Sequence, residues 1–327
     1  MKIALDIPGA YDRIRSDIVR TPLEYSPEIS RLTGARVFLK WECDQTTGSF
    51  KWRGALNKIR GLTAAEKRAG IVAASTGNHG LGVARAAALE GTTVTLYLPK
   101  TAAPAKIKKL RKTGVAIEFH GASCEQAEAA ARKAAARSGR IYVSPYNDPE
   151  VVSGQGTIGL EILEDCPEAM EIFVPIGGGG LIAGIGTWIK SRNSEIRIVG
   201  VEPFASAFMR ASLRAGQLVS IAEGRTLADA VAGGIEPGSI TFPLCRDCVD
   251  EIVLTGEAGL KEALVLLYKL HGRVVEGAGA LPLAALRKSK ARFRGRTVVL
   301  VASGGNIDPV RFAKIVGDPA IRRKSSH

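Results

Sequence analysis

The chain has 327 residues, 46% of them hydrophobic, which is ample for a large core and points to two domains. No apolar run approaches the roughly 18 residues of a membrane helix, and Met1-Lys2-Ile3-Ala4-Leu5-Asp6 lacks the core and cleavage site of a signal peptide, so a cytoplasmic protein with no membrane partner is expected. The net charge of +13 is dispersed among acids rather than gathered into a patch, which argues against a nucleic-acid partner.

Short apolar, β-branched runs alternate with Ala- and Leu-rich helical stretches. The first candidate strand is 37–41. It is followed by Ser49-Phe50-Lys51-Trp52-Arg53-Gly54, a lysine at the edge of the helical run 54–59. The strand 70–74 leads into Ser75-Thr76-Gly77-Asn78-His79-Gly80. Strands 94–98 and 116–119 follow; between them Lys106-Ile107-Lys108-Lys109-Leu110-Arg111-Lys112 has helical spacing, with Ile107 and Leu110 inward and a solvated basic face. Strand 172–175 leads into Gly177-Gly178-Gly179-Gly180-Leu181, strands 196–201 and 251–254 come next, and 298–301 leads into Ser303-Gly304-Gly305-Asn306. The basic tail 322–327 is expected to fray. This rhythm predicts an α/β fold with open, mainly parallel sheets flanked by helices. Residues 73–147 hold three strand–helix units with their own apolar faces. They read as a small domain inserted between residues 1–72 and 148–327 of a larger one.

The five cysteines, an odd number in a long chain, imply reduced thiols. Cys245-Arg246-Asp247-Cys248 has neither a second pair nor a histidine nearby in sequence, so neither redox chemistry nor zinc is expected of it. The run of four glycines lies between a strand and a helix. Glycines let the backbone approach a ligand closely, and a helix N-terminus gathers unpaired N–H groups. Four in a row are costly in chain entropy, so the run reads as a phosphate cradle rather than a tight turn. It matches neither the dinucleotide fingerprint nor a Walker loop.

In this order and spacing, the four motifs at Lys51, Asn78, Gly177 and Ser303 resemble the pyridoxal-phosphate enzymes of the tryptophan-synthase-β type. The threonine and serine dehydratases and serine racemases are the nearest group, and the resemblance runs from Arg20-Thr21-Pro22-Leu23 to about Asn306. It implies a large and a small domain with the active site in the cleft between them, pyridoxal 5'-phosphate as cofactor, a small amino-acid substrate and a homodimer. It also implies the site. Lys51 carries the cofactor covalently, its pKa lowered by desolvation beside Phe50 and Trp52, and then serves as the base at Cα. Asn78 meets the phenolic oxygen, and Phe50, Gly177, Gly178, Gly179, Gly180 and Leu181 complete the cofactor site. Ser75, Thr76, Gly77 and His79 face the substrate carboxylate, with His79 either substrate-side or structural. Arg53 is either a positioning cation or an ion-pair partner. Ser303 faces the pyridine nitrogen; a hydroxyl there gives a shallower electron sink than an Asp would, which favours β-elimination. The expected reaction is loss of water from a 2-amino-3-hydroxy acid, the leaving hydroxyl protonated by the cofactor's phosphate, with release of a 2-oxo acid and ammonia.

Racemases of this group have Ser where Thr76 stands, so racemisation is the alternative activity, with Thr76 as the acid/base on the second face. Racemases and several serine dehydratases also bind a divalent cation through acids after Glu-Pro. Here Glu202-Pro203 is followed by Phe208 at the place of the second acid, and no metal is expected. Biosynthetic threonine dehydratases add a regulatory domain after the core, so isoleucine feedback is not expected of a chain ending at His327. The phrases Gln45-Thr46-Thr47-Gly48-Ser49, Leu227-Ala228-Asp229, Gly233-Gly234-Ile235 and Val274-Val275-Glu276-Gly277-Ala278 look closest to the dehydratases of hydroxyectoine utilisation. Their substrate is thought to be a hydroxylated diaminobutyrate, whose extra amine an acid such as Glu276 or Asp229 would meet. General L-threonine or L-serine ammonia-lyase activity is the other dehydratase reading.

Overall fold

The computed structural model describes residues 3–318; the tail 322–327 lies outside them. Among the described residues, strands β1 (Leu23–Tyr25), β2 (Arg36–Lys40), β7 (Glu171–Pro175), β8 (Arg197–Pro203), β9 (Glu251–Thr255) and β10 (Thr297–Val301) form one sheet. Its order is β1-β2-β10-β7-β8-β9, parallel throughout except for the antiparallel pair β1–β2. The second sheet is fully parallel, with order β5-β4-β3-β6 from β3 (Ile71–Ala74), β4 (Val94–Leu98), β5 (Ala116–Phe119) and β6 (Ile141–Tyr142). Eight strands coincide with the runs read from sequence. The short β1 and β6 do not, because three and two residues carry no usable alternation. Strand β3 begins at Ile71, two residues ahead of the expected domain start at 73.

The strand order matters for the site. The last strand, β10, enters between β2 and β7, so three segments far apart in sequence leave neighbouring strands at their carboxyl ends. These are the path from β2 to Lys51, the glycine run after β7, and Ser303 after β10. In open α/β sheets ligands bind at such ends. The helix Lys51–Arg60 is not part of the six-stranded sheet's core. Trp52, Ala55, Leu56 and Ile59 are buried with Ile71, Ala73 and Leu96 of the four-stranded sheet. It crosses the helix Pro149–Asp165 at a glycine contact: a Cβ on Gly154 would lie 2.7 Å from the Gly54 Cα. Lys51 therefore rides on an element wedged between the two sheets. No helix among the described residues is long and apolar enough to cross a membrane.

Candidate active site

The sheets face each other across a cavity of about 330 Å³. Its walls include every residue expected to form the site: Phe50, Lys51, Ser75, Thr76, Gly77, Asn78, His79, the four glycines, Leu181 and Ser303.

Lys51 is the first residue of its helix. Its Nζ donates to the Pro145 carbonyl at 2.7 Å and sits 4.9 Å from the centre of the Phe50 ring. Burial lowers its pKa to about 8, while the Glu276 carboxylate pulls it back upward. A far larger share of free amine near neutral pH follows than for an ordinary lysine, and a nucleophilic lysine needs the free amine. Two residues on, Arg53 points away from the cavity. It is fully buried and pairs with Glu42 (2.8 Å) and Glu161 (2.7 Å), and Glu161 also takes Lys40 (2.6 Å). Of the two readings open for Arg53, the ion pair is the one found.

Asn78 opens the helix Asn78–Leu89. Its Nδ2 donates to Glu276 Oε1 and its Oδ1 accepts from Asn306 Nδ2, each at 2.7 Å. One Nδ2 hydrogen stays free for a ligand. Burial raises the Glu276 pKa to about 7, with the Asn78 hydrogen bond opposing it. His79 is buried and donates from Nε2 to the Val143 carbonyl at 2.9 Å, which leaves Nδ1 a buried acceptor without a partner among the described residues. Burial, and then the Lys51 charge, press its pKa down to about 3, so it is a neutral imidazole. Ser75 Oγ accepts the Gly77 N–H at 3.1 Å and shapes the turn before Asn78.

Ser303 is buried, and its carbonyl accepts the Phe50 N–H at 3.1 Å. Ser49 and Gly304 form an isolated antiparallel bridge. The end of β10 is thus stitched to the residues just before Lys51. The glycine run caps the helix Gly180–Arg192. Gly179 takes φ +87°, where a side chain is strained. A Cβ on Gly178 would collide with the Tyr146 ring, and one on Gly179 would come 2.8 Å from Met209 Cε.

Several neighbours were not foreseen. Pro145 contributes a backbone carbonyl, which has no sequence signature. Tyr146 packs on the glycines, and its hydroxyl accepts the Glu236 N–H at 3.1 Å. Asn306 stood in a recognised motif without a role; it joins Asn78, the Thr47 carbonyl and Lys109. Asp229, one of the two acids already named for a substrate amine, lies at the mouth, paired with Lys106 (3.0 Å) and Arg311 (3.7 Å). Glu202 stands apart, its two oxygens accepting the N–H groups of Met209 and Arg210 at 2.9 Å each.

The family model described as "Pyridoxal-phosphate dependent enzyme" matches residues 14–304. The chain belongs to that family. It is 41% identical over 317 residues to the L-threonine ammonia-lyase of Thermotoga maritima, covering 97% of this chain and 79% of that protein. It is 40% identical over 326 residues to the catabolic L-threonine dehydratase TdcB of Escherichia coli, covering 97% and 99%. Maize serine racemase superposes with a TM-score of 0.89 at 32% identity, covering 97% and 98%. The cofactor of this pyridoxal-phosphate enzyme fits the cavity described. The Lys51 amine suits its aldehyde carbon. For its phosphate there is a helix N-terminus whose Gly178, Gly179 and Gly180 N–H groups have no partner among the described residues.

Proposed function

We propose that the chain is a dehydratase that removes water from a 2-amino-3-hydroxy acid and releases a 2-oxo acid and ammonia. The observation that carries this reading is the meeting of a partly deprotonated Lys51, Asn78, the glycine run and Ser303 in one cavity. The names of the Thermotoga and Escherichia relatives favour L-threonine, with L-serine as its shorter analogue.

In this reading Gly177, Gly178, Gly179, Gly180 and Leu181 hold the phosphate through backbone N–H groups. Asn78 offers its free Nδ2 hydrogen to the phenolic oxygen, Phe50 packs beside the ring, and Ser303 meets the ring nitrogen. Ser75, Thr76 and Gly77 receive the substrate carboxylate; His79, whose one N–H is given to the Val143 carbonyl, has no donor left for it and takes the structural one of its two readings. Bound pyridoxal phosphate supplies an electron sink for the Cα–H bond. Lys51, as the free amine, takes the Cα proton. The hydroxyl of Ser303, in place of a carboxylate, keeps that sink shallow, so loss of the β-hydroxyl outruns return of the proton.

Within this class the motif phrases favour the hydroxylated diaminobutyrate of hydroxyectoine utilisation. Of the two acids named for its amine, Glu276 lines the cavity wall behind Asn78, whereas Asp229 is already committed to two cations. A homodimer in the cytoplasm completes the reading; sedimentation of the holoenzyme at twice the chain mass tests the first part.

The test is 2-oxo acid release from L-threonine, L-serine and the diamine, given separately. Wild type should release it from at least one, and Lys51→Ala should lose about 10²-fold or more. Release from the diamine alone selects the hydroxyectoine substrate. The Thr76 hydroxyl on the cavity wall supports serine racemisation as a second reading. Interconversion of L- and D-serine faster than pyruvate release, lost in Thr76→Ala while elimination persists, would select it.

A further inference from the structure

The helix Thr241–Cys248 contains the Cys-x-x-Cys that had no role, and it packs behind the glycine run. Thr241 Oγ1 donates to the Gly178 carbonyl at 2.6 Å. One turn on, Cys245 Sγ reaches the Gly179 carbonyl at 3.8 Å, and Cys248 Sγ reaches the Ile182 carbonyl at 3.9 Å. The contact is close: a Cβ on Gly179 would lie 3.0 Å from Thr241 Cβ and 3.2 Å from Cys245 Sγ. Tyr146 closes the other side, against Gly178 and Gly180. The peptide bonds of the described residues are trans. In a trans peptide, the C=O of one residue and the N–H of the next point in opposite directions. A Gly178 carbonyl held back by Thr241 therefore turns the Gly179 N–H outward, and a Gly179 carbonyl held by the Ala183 N–H at 2.9 Å, with the Cys245 thiol beside it, does the same for Gly180.

We infer that Thr241, seconded by Cys245, is a positioning residue that aims the Gly179 and Gly180 N–H groups at the phosphate of the cofactor. The hydroxyl of Thr241 is fixed in turn by Ser239 Oγ at 2.8 Å. This rests on the reading of the glycine run as the phosphate cradle. The two thiols serve as weak donors to carbonyls, and burial raises both their pKa values, so the motif is structural rather than redox.

The experiment compares wild type, Thr241→Val and Thr241→Ser as full-length holoenzymes. The ³¹P resonance of the bound cofactor is recorded. The cofactor is then removed, and the dissociation constants of pyridoxal phosphate and of pyridoxal, which lacks the phosphate, are measured. Thr241→Val should weaken pyridoxal phosphate about tenfold, the size of one buried hydrogen bond left unmade. It should also shift the ³¹P resonance and leave pyridoxal within twofold, while Thr241→Ser behaves as wild type. Equal weakening of both compounds, or of neither, overturns the inference. If Thr241→Val does not fold, Thr241→Ala takes its place under the same criteria. Wild type that fails to prefer the phosphate would instead sink the cradle itself.

Discussion

At the scale of single residues, Lys51 is the group whose environment does most. Its amine loses water on one side to Phe50 and keeps one acceptor, the Pro145 carbonyl. With its pKa lowered to about 8, it is mostly protonated below that pH and cannot attack an aldehyde. Uptake of pyridoxal phosphate by the cofactor-free protein should therefore accelerate as pH rises through about 8 and then level off. Stopped-flow absorbance would show it, and a rate that keeps climbing to the ordinary lysine range near 10.5 would contradict it. Stability follows the same sign. A lysine whose folded-state pKa is depressed binds fewer protons than in the unfolded chain, so the cofactor-free fold should gain stability between about pH 8 and 10.5. Lys51→Met should remove that gain in urea titrations at the two pH values. The identity of Lys51, Asn78 and Ser303 as site residues was legible because each stands in a motif of unusual local composition. The hydrogen-bond partners around them were not: Pro145 acts through its backbone, and Asn306, a donor, and Glu276, an acceptor, are brought together only by the Asn78 amide between them.

At the scale of elements, the helix Lys51–Arg60 is anchored from behind by charge. Arg53, Lys40, Glu42 and Glu161 are all fully buried, two cations against two anions, with Thr21 donating to Glu42 at 2.5 Å. Removing one member strands a buried carboxylate. Arg53→Met should thus cost about 3–5 kcal/mol of stability, read from urea unfolding, and a loss under about 1 kcal/mol would deny the network its role. The glycine run is fixed by steric fit. Gly178→Ala drives a methyl group into Tyr146, so about 1–3 kcal/mol of stability and most cofactor affinity should be lost together. Retention of the visible absorption band in that variant would show that the loop yields. The turn itself was readable, since four consecutive glycines between strand and helix have few other uses. The helix Thr241–Cys248 behind it was not, because its contacts go to backbone carbonyls, which leave no mark in the sequence, and its thiols, from which neither metal nor redox chemistry was expected, suggested no other role.

At the scale of the whole molecule, the two sheets meet at a cavity bridged by charge at its mouth. Lys106 pairs with Asp229 at 3.0 Å, and Arg132 with Glu236 at 2.5 Å, joining helices of the four-stranded sheet to the loop across the cleft. Both members of the first pair are well exposed, so Lys106→Ala should change stability by less than about 1 kcal/mol. Its effect should appear instead as a raised KM, and an unchanged KM would contradict a part in holding the cleft together. The alternation of strands and helices was plain in the sequence because parallel strands are continuously apolar. The insertion of β10 between β2 and β7 was not, since strand order depends on contacts between segments more than 100 residues apart. That insertion brings Lys51, the glycine run and Ser303 to one place, and the account stands on it. The measurement that tests it most directly is the visible spectrum of the purified holoenzyme together with 2-oxo acid release from L-threonine, L-serine and the hydroxylated diaminobutyrate, in wild type and Lys51→Ala. The account predicts a lysine-bound cofactor band in wild type that shifts with at least one substrate as 2-oxo acid appears, and in Lys51→Ala no such band and product release lower by about 10²-fold or more. A wild-type protein that releases no 2-oxo acid from any of the three, or a Lys51→Ala protein that releases it at close to the wild-type rate, would contradict it.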